Sequence, residues 1–338
     1  MTDLAAYGWT PRWAALLAEV ADASDAGRVV RHDGAGLIVA RSDGLAAVPL
    51  ARRLDPEPVV GDWVALDGDE PVAVLPRQSL LRRRASMGER EHPLAANVDV
   101  VFLVCGLDRP VKSGRVQRGA TLARDAGAVP VVVLTKAALV EDADRLADEV
   151  REATPGLDVL VTSVKEGIGV DALTAAARDR TVSLLGESGA GKSSIVNALV
   201  GTDAAAIGAV RAGDSKGRHT TTARELHLLP LGGVLVDTPG IRAVGLWTDT
   251  DAVDAAFPDI DELAARCKFG DCRHDGEPGC AVEAAVGDGS LARDRLDSWK
   301  QLQREAEAAD LRAQPHELRR RNKRFSRMAK DAQRRKGR

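Results

Sequence analysis

The sequence predicts a multidomain α/β protein, with a small OB-type β-barrel ahead of a P-loop α/β domain and a metal-binding helical element behind it. Three observations carry this reading. Between Arg28 and Leu75 five short β-prone runs are separated by turn residues, and from Asn97 onward apolar strands alternate with helical segments around one glycine-rich loop. Near the C-terminus three cysteines and a histidine crowd into fourteen residues.

At 338 residues and 44% hydrophobic composition the chain has room for two or three cores. The segments expected are an N-terminal extension over 1–26, the barrel over 27–90, the P-loop domain over 91–248 and the C-terminal element over 249–338. The formal charge of −3 conceals an uneven distribution: eleven Lys and Arg face only Glu317 and Asp331 between Pro315 and Arg338, whereas Leu139 to Thr154 is acidic. No apolar run approaches about 18 residues, and the first residues lack a basic stretch followed by an apolar core. The expectation is a cytoplasmic, soluble monomer without membrane contact. Cys105 sits alone in an apolar strand and is expected to be buried; the other three cysteines cluster, which in a reducing compartment favours metal over disulfide.

In chain order, Trp13, Leu16, Leu17 and Val20 recur at helical spacing and predict a short amphipathic helix over Pro11 to Ala23. The β-prone runs follow: Arg28–Arg31, Gly36–Arg41, Ala46–Leu50, Gly61–Leu66 and Val72–Leu75, with Asp33-Gly34, Ser42-Asp43-Gly44 and Asp67-Gly68 as turns. Barrels of this kind are often used on RNA or single strands. Arg77 and Arg82-Arg83-Arg84 flank its end, and two readings stay open: RNA contact, or a solvated basic edge. Trp63 is the one aromatic within these runs that could stack on a base.

From Asn97 to Val104 a continuous apolar run predicts a buried strand, and Val131–Leu134, Val159–Val161, Val182–Leu185 and Val234–Val236 predict others. The strand at Val182 leads into Gly186-Glu187-Ser188-Gly189-Ala190-Gly191-Lys192-Ser193 and then Ser194–Leu199, which reads as strand, phosphate loop and helix. In such a loop backbone N–H groups and the helix N-terminus face the phosphates, Lys192 reaches the β- and γ-phosphates, and Ser193 supplies a hydroxyl to Mg²⁺. Two other strand ends carry Thr135-Lys136-Ala137-Ala138 and Ser163, in the positions where P-loop GTPases hold the nucleotide base with N-K-x-D and S-A-like segments. Gly217-Arg218-His219-Thr220-Thr221-Thr222 offers switch threonines, Thr221 among them, for Mg²⁺ and the γ-phosphate. Asp237-Thr238-Pro239-Gly240 offers a carboxylate for the metal's water shell.

Here the base-binding candidates precede the phosphate loop, the reverse of the usual order. On these motifs the chain resembles the circularly permuted GTPases of the RsgA family, which act with the small ribosomal subunit; the resemblance covers essentially the whole sequence. It implies a circularly permuted P-loop GTPase domain that binds GTP and GDP with Mg²⁺, and an enzyme acting late in small-subunit maturation. Its partners would be the subunit and its rRNA, with turnover stimulated by the subunit.

The chain departs from that pattern at Ala138, which stands where an aspartate would accept two hydrogen bonds from guanine. Glu141 and Asp142 lie three and four residues too late to replace it. Losing a charge-assisted hydrogen bond of about 1.5–3 kcal/mol lowers discrimination against adenine by about 10- to 150-fold. Ile241 follows Gly240, so the water-orienting glutamine of Ras-like enzymes is missing, and His219 is the candidate to position water in its place.

Cys267, Cys272, His274 and Cys280 form a C-x4-C-x-H-x5-C set, the composition of one closed, structural Zn²⁺ site. After Ser290, residues Leu291, Leu296, Trp299, Leu302, Ala306, Ala309 and Ala313 predict a helix that stops before Pro315. The basic tail beyond it suits phosphate-backbone contacts to rRNA. Two other readings compete with a ribosome-associated GTPase. One is an RNA-binding assembly module with weak or relaxed-specificity nucleotide hydrolysis, and the other is an ATP-using metabolic enzyme on the same core.

Overall fold

The computed structural model describes residues 3–20, 23–32, 36–50, 54–84, 91–201, 224–237, 253–254 and 256–313. Two compact units result, Met1–Arg83 with His92–Val244, and Arg84–Glu91 with Gly245–Arg338.

The first unit opens with a 3-10 turn at Leu4–Tyr7 and helix α1, Pro11–Ala18, which ends before the expected Ala23. Strands β1 (Asp25–His32), β2 (Gly36–Arg41), β3 (Gly44–Pro49), β4 (Trp63–Asp67) and β5 (Glu70–Val74) follow. All their pairings are antiparallel: β1 with β2 and β4, β2 with β3, and β4 with β5. Alternation along the strands sends Val29, Leu37, Val39, Val48, Val64 and Leu66 into one apolar cluster.

Two sequence expectations change here. Trp63 is fully buried, its ring 4.7 Å from Trp9 and 6.1 Å from Trp13, so it packs the N-terminal segment onto the strands and offers no face to a base. Arg77 forks onto buried Asp62 through Nε at 2.8 Å and Nη2 at 2.7 Å, and also donates to the Glu57 carbonyl. It is committed within the fold.

A two-stranded hairpin, β6 (Leu80–Arg84) and β7 (Glu91–Ala96), comes next, and Asn97 turns the chain in the left-handed region with φ 57°. The buried strand expected from Asn97 therefore begins at Val100. The α/β portion then runs β8 (Val100–Gly106), α2 (Ser113–Asp125), β9 (Val129–Thr135), α3 (Ala143–Ala153), β10 (Asp158–Val161), α4 (Val170–Ala177), β11 (Thr181–Gly186), α5 (Lys192–Val200), β12 (Glu225–Leu228) and β13 (Val234–Asp237). In space the strands lie β10-β9-β8-β11-β13-β12; the first five are parallel and β12 is antiparallel. Strands covered on both faces need apolar residues at every position, which is why these segments read as continuous runs. Val101, Leu103, Val132 and Leu134 meet Val116, Ala120 and Ala123 of α2 and Ala147 and Val150 of α3; Phe102, Val104, Val131 and Val133 meet Leu173 of α4 and Ile195 and Leu199 of α5.

Strand β12 also pairs with β1, at Arg31 and Glu225, so the antiparallel strands extend the parallel sheet. Arg28 of β1 strengthens this junction. It is 2% exposed and donates to the Tyr7 carbonyl, to Thr181 Oγ1 at 2.9 Å and to the Gly61 carbonyl at 3.3 Å.

The second unit contains α6 (Pro258–Ala264), α7 (Ala281–Gly287) and α8 (Arg293–Ala313), the last ending two residues before Pro315 as the apolar spacing predicts. Phe257, Ile260, Val282, Leu296 and Leu302 are buried between them. Arg295 holds Asp259 through two bonds of 2.5 Å while its guanidinium lies 4.7 Å from the Phe257 ring. Among the described residues no helix is long and apolar enough to cross a membrane.

Candidate nucleotide site and metal centre

Parallel α/β sheets bind ligands beyond the carboxyl ends of their strands, where helix N-termini and loops converge. Central strand β11 ends at Gly186, and the loop from Glu187 to Gly191 leads into α5, which Ile195, Leu199 and Val200 anchor against the sheet. Gly191 has φ 97°, and a side-chain carbon there would sit 2.9 Å from Thr135 Oγ1; the motif's second invariant glycine is thus required both by backbone and by space. Lys192 folds back over the loop, its Nζ 2.7 Å from the Gly186 carbonyl and 2.6 Å from that of Glu187. Ser193 and Ser194 are exposed in the first turn of α5, and Ser188 and Gly189 are exposed at the loop's crest, with Ala190 buried beneath it.

The two base-binding candidates arrive at this same edge. Thr135, the last residue of β9, donates from Oγ1 to the Ala190 carbonyl at 2.5 Å, joining residues 55 apart in sequence. Lys136 follows with φ 62°, a left-handed conformation that a non-glycine residue rarely takes, and Ala137 N donates to the Thr162 carbonyl at 3.0 Å. Ser163 is buried beside it, with its N–H on the Ile168 carbonyl. Ala138 and Leu139 are exposed, the latter 68%. Asp142 cannot supply the carboxylate absent at 138, because its side chain caps α3 by accepting from Arg145 N at 2.9 Å.

Asp237 ends β13 on the other side of β11. Burial raises its carboxyl above the usual range while His227 and Lys192 pull it down, so the Lys192 ammonium is close enough to act on it. The hydroxyl of Ser193 and the carboxylate of Asp237 are oxygen donors of the kind Mg²⁺ prefers. Gly240, His219 and Thr221 lie outside the described residues, as do Ile241 and the basic tail.

Sequence reasoning passed over a chain of charges on this rim. Lys136 Nζ lies 2.8 Å from Asp108 Oδ2, and Arg109 Nη2 lies 3.3 Å from the same oxygen. Arg109 Nη1 is 4.0 Å and Arg115 Nη1 2.5 Å from Glu187 Oε2. The signal was available: Asp108 and Arg109 stand directly past a buried strand, at the sheet's carboxyl edge. Cys105 on the same strand is half-buried, its thiol pushed up to about 11 by burial and therefore protonated at neutral pH.

In the second unit Cys267, Cys272, His274 and Cys280 bring one ligand atom each within 4.8 Å of all the others. His274 Nδ1 is 3.4 Å from Cys280 Sγ and 3.6 Å from Cys267 Sγ, and the two sulfurs are 3.9 Å apart. A tetrahedron with metal–sulfur bonds of about 2.3 Å has sulfur–sulfur edges of about 3.8 Å, so the residues fit a tetrahedral metal ion. The N–H groups of Ala281 and Glu283 point at the sulfurs of Cys267 and Cys280, each at 3.3 Å. Burial lowers the His274 imidazolium below its usual range, which favours the neutral ring that a metal requires. Lys300 of α8 donates to the His274 carbonyl at 2.5 Å, and Trp299 packs 5.4 Å from the imidazole, neither of which the spacing could announce.

A family profile described as RsgA GTPase matches residues 74–247. The "Small ribosomal subunit biogenesis GTPase RsgA" of Streptomyces coelicolor is 45% identical over 315 residues, covering 89% of this chain and 86% of that protein. That of Streptomyces avermitilis is 46% identical, covering 89% and 85%. Among solved structures, YjeQ from Thermotoga maritima superposes with a TM-score of 0.63 at 26% identity, over 83% of this chain and 98% of that one. YloQ, described as a circularly permuted GTPase, gives 0.60 at 24% identity over 84% and 95%, a likeness of fold.

Proposed function

The chain belongs to the RsgA GTPase family, and on that premise we propose that it hydrolyses GTP while engaged with the small ribosomal subunit, as a cytoplasmic monomer that times its own release late in subunit maturation. The observation that supports the reading is the bond from Thr135 Oγ1 to the Ala190 carbonyl, which ties the candidate base-binding segment to the phosphate loop despite the permuted order.

In this reading the N–H groups of Gly186 to Ser194 cradle the phosphates with the N-terminus of α5, and Lys192 leaves its carbonyl contacts for the β- and γ-oxygens. Ser193 and Asp237 would hold Mg²⁺, which neutralises charge on the transferring phosphoryl group. Thr135 to Ala138 and Ser163 border the base. Thr221 would close over the γ-phosphate and His219 would orient the attacking water. Cys267, Cys272, His274 and Cys280 would hold one structural Zn²⁺, whose closed donor set leaves no position for substrate. The basic tail and the second unit would meet rRNA through phosphates.

Phosphate release measured with and without purified small subunits tests this, with stimulation by the subunit expected. No stimulation would support a second reading instead, favoured by Ala138: an RNA-binding assembly module whose nucleotide hydrolysis is weak or relaxed in specificity. ATP competing with GTP on equal terms would move the chain toward a metabolic ATPase.

A further inference from the structure

In the chain of ion pairs along the rim of the phosphate loop, three cations, Lys136, Arg109 and Arg115, share two carboxylates, Asp108 and Glu187. Each carboxylate is held more closely by a cation other than Arg109: Asp108 by Lys136 at 2.8 Å against 3.3 Å, and Glu187 by Arg115 at 2.5 Å against 4.0 Å. Arg109 is thus the surplus charge of the group. Its side chain is 48% exposed, so the contacts it does make are weak ones that an incoming anion can replace. Its position is also particular, because Nη2 lies 3.6 Å from where a side-chain carbon on Gly189 would be, at the exposed crest of the loop.

We propose that Arg109, carried on the loop between β8 and α2, is a phosphate-binding residue of the nucleotide site, supplied by this chain itself and parked on Asp108 and Glu187 until a nucleoside diphosphate or triphosphate arrives. This rests on the nucleotide-site reading given above. A polyphosphate brings more negative charge than either carboxylate, and a guanidinium can bond two phosphate oxygens at once, so the exchange of partners favours the nucleotide. The contact is made equally to both nucleotides, and Arg109 therefore sets how long product is retained more than how fast bond cleavage occurs.

The test is equilibrium titration of GDP and of a non-hydrolysable GTP analogue onto the full chain, comparing wild type with Arg109→Ala, Arg109→Lys and Lys192→Ala, alongside thermal melting. Arg109→Ala is expected to lose about 10- to 150-fold in affinity for both nucleotides, the span of one charge-assisted hydrogen bond, with an unchanged melting temperature. Arg109→Lys is expected to lose less, since the charge remains and the fork does not. Affinities within about 2-fold of wild type would overturn the proposal and leave Arg109 a surface ion pair. So would an unchanged affinity with a slower single-turnover rate, which would place the contact in the transition state alone. Wild type that binds neither nucleotide refutes the underlying site reading. Wild type that binds, with Lys192→Ala deficient and Arg109→Ala normal, refutes Arg109 only.

Discussion

Replacing Arg28 with methionine removes a buried charge that has no carboxylate in hydrogen-bonding contact among the described residues. Burial lowers its pKa to about 10, with Asp99 and Asp62 raising it from a distance, so it stays cationic at neutral pH. Four acceptors surround it, and they do not lose equally. The Gly61 carbonyl keeps Asn97 Nδ2 at 3.0 Å, and the Asn97 carbonyl at 3.5 Å was barely engaged. The loss falls on the Tyr7 carbonyl and Thr181 Oγ1. Two buried acceptors left unsatisfied cost about 1–3 kcal/mol each, and relief of the buried charge offsets part of that, giving a net loss near 3 kcal/mol. For a unit of this size that is a fall in Tm of roughly 6–12 °C. Calorimetry gives the number, and hydrogen exchange should show Leu4–Tyr7 opening first because its tie to β1 has gone. A methionine variant melting within about 2 °C of wild type would refute the reasoning.

Two further outcomes are expected. Ala138→Asp places a carboxylate on the exposed turn after Lys136 and, on the proposed site, should raise the preference for GTP over ATP by about 10- to 150-fold, read from competition titrations; an unchanged ratio would mean that guanine is recognised elsewhere. Chelation should release one zinc ion per chain, measured with a metal-sensitive dye, and expose the segment between α6 and α7 to protease while nucleotide binding persists, since the four ligands hold together a loop with little core of its own. Metal release without new cleavage sites would contradict that structural role.

The elements that sequence patterning revealed are those with a strong period or a demanding local geometry. Val131 to Leu134 reads as a strand covered on both faces, and Gly191 resists replacement because an added side-chain carbon would meet Thr135. Long-range partners were hidden. The strand at Leu80–Arg84 reads from sequence as a basic flank, because three successive arginines break the alternation that marks a strand. Trp63 looked like a base-stacking aromatic until Trp9 and Trp13, over fifty and fifty residues away, covered it. Arg77 looked like a surface cation because its buried partner Asp62 lies across a turn that propensity does not define. The charge chain through Asp108 and Arg109 joins four separate segments, and only the sheet brings them together.

The strand order has a consequence for how the protein is made. Strands β8, β9 and β10 leave the ribosome in succession, and β9 and β10 each pair with the strand before, so this half of the sheet can assemble as it emerges. Strand β11 comes later yet docks on the vacant flank of β8, followed by β13 on its far side. Until then β8 presents an apolar edge with unpaired backbone groups, the surface most open to mispairing in a nascent chain. The phosphate loop begins where β11 ends, so a nascent chain that stops short of β11 also lacks the loop that the nucleotide-site reading requires.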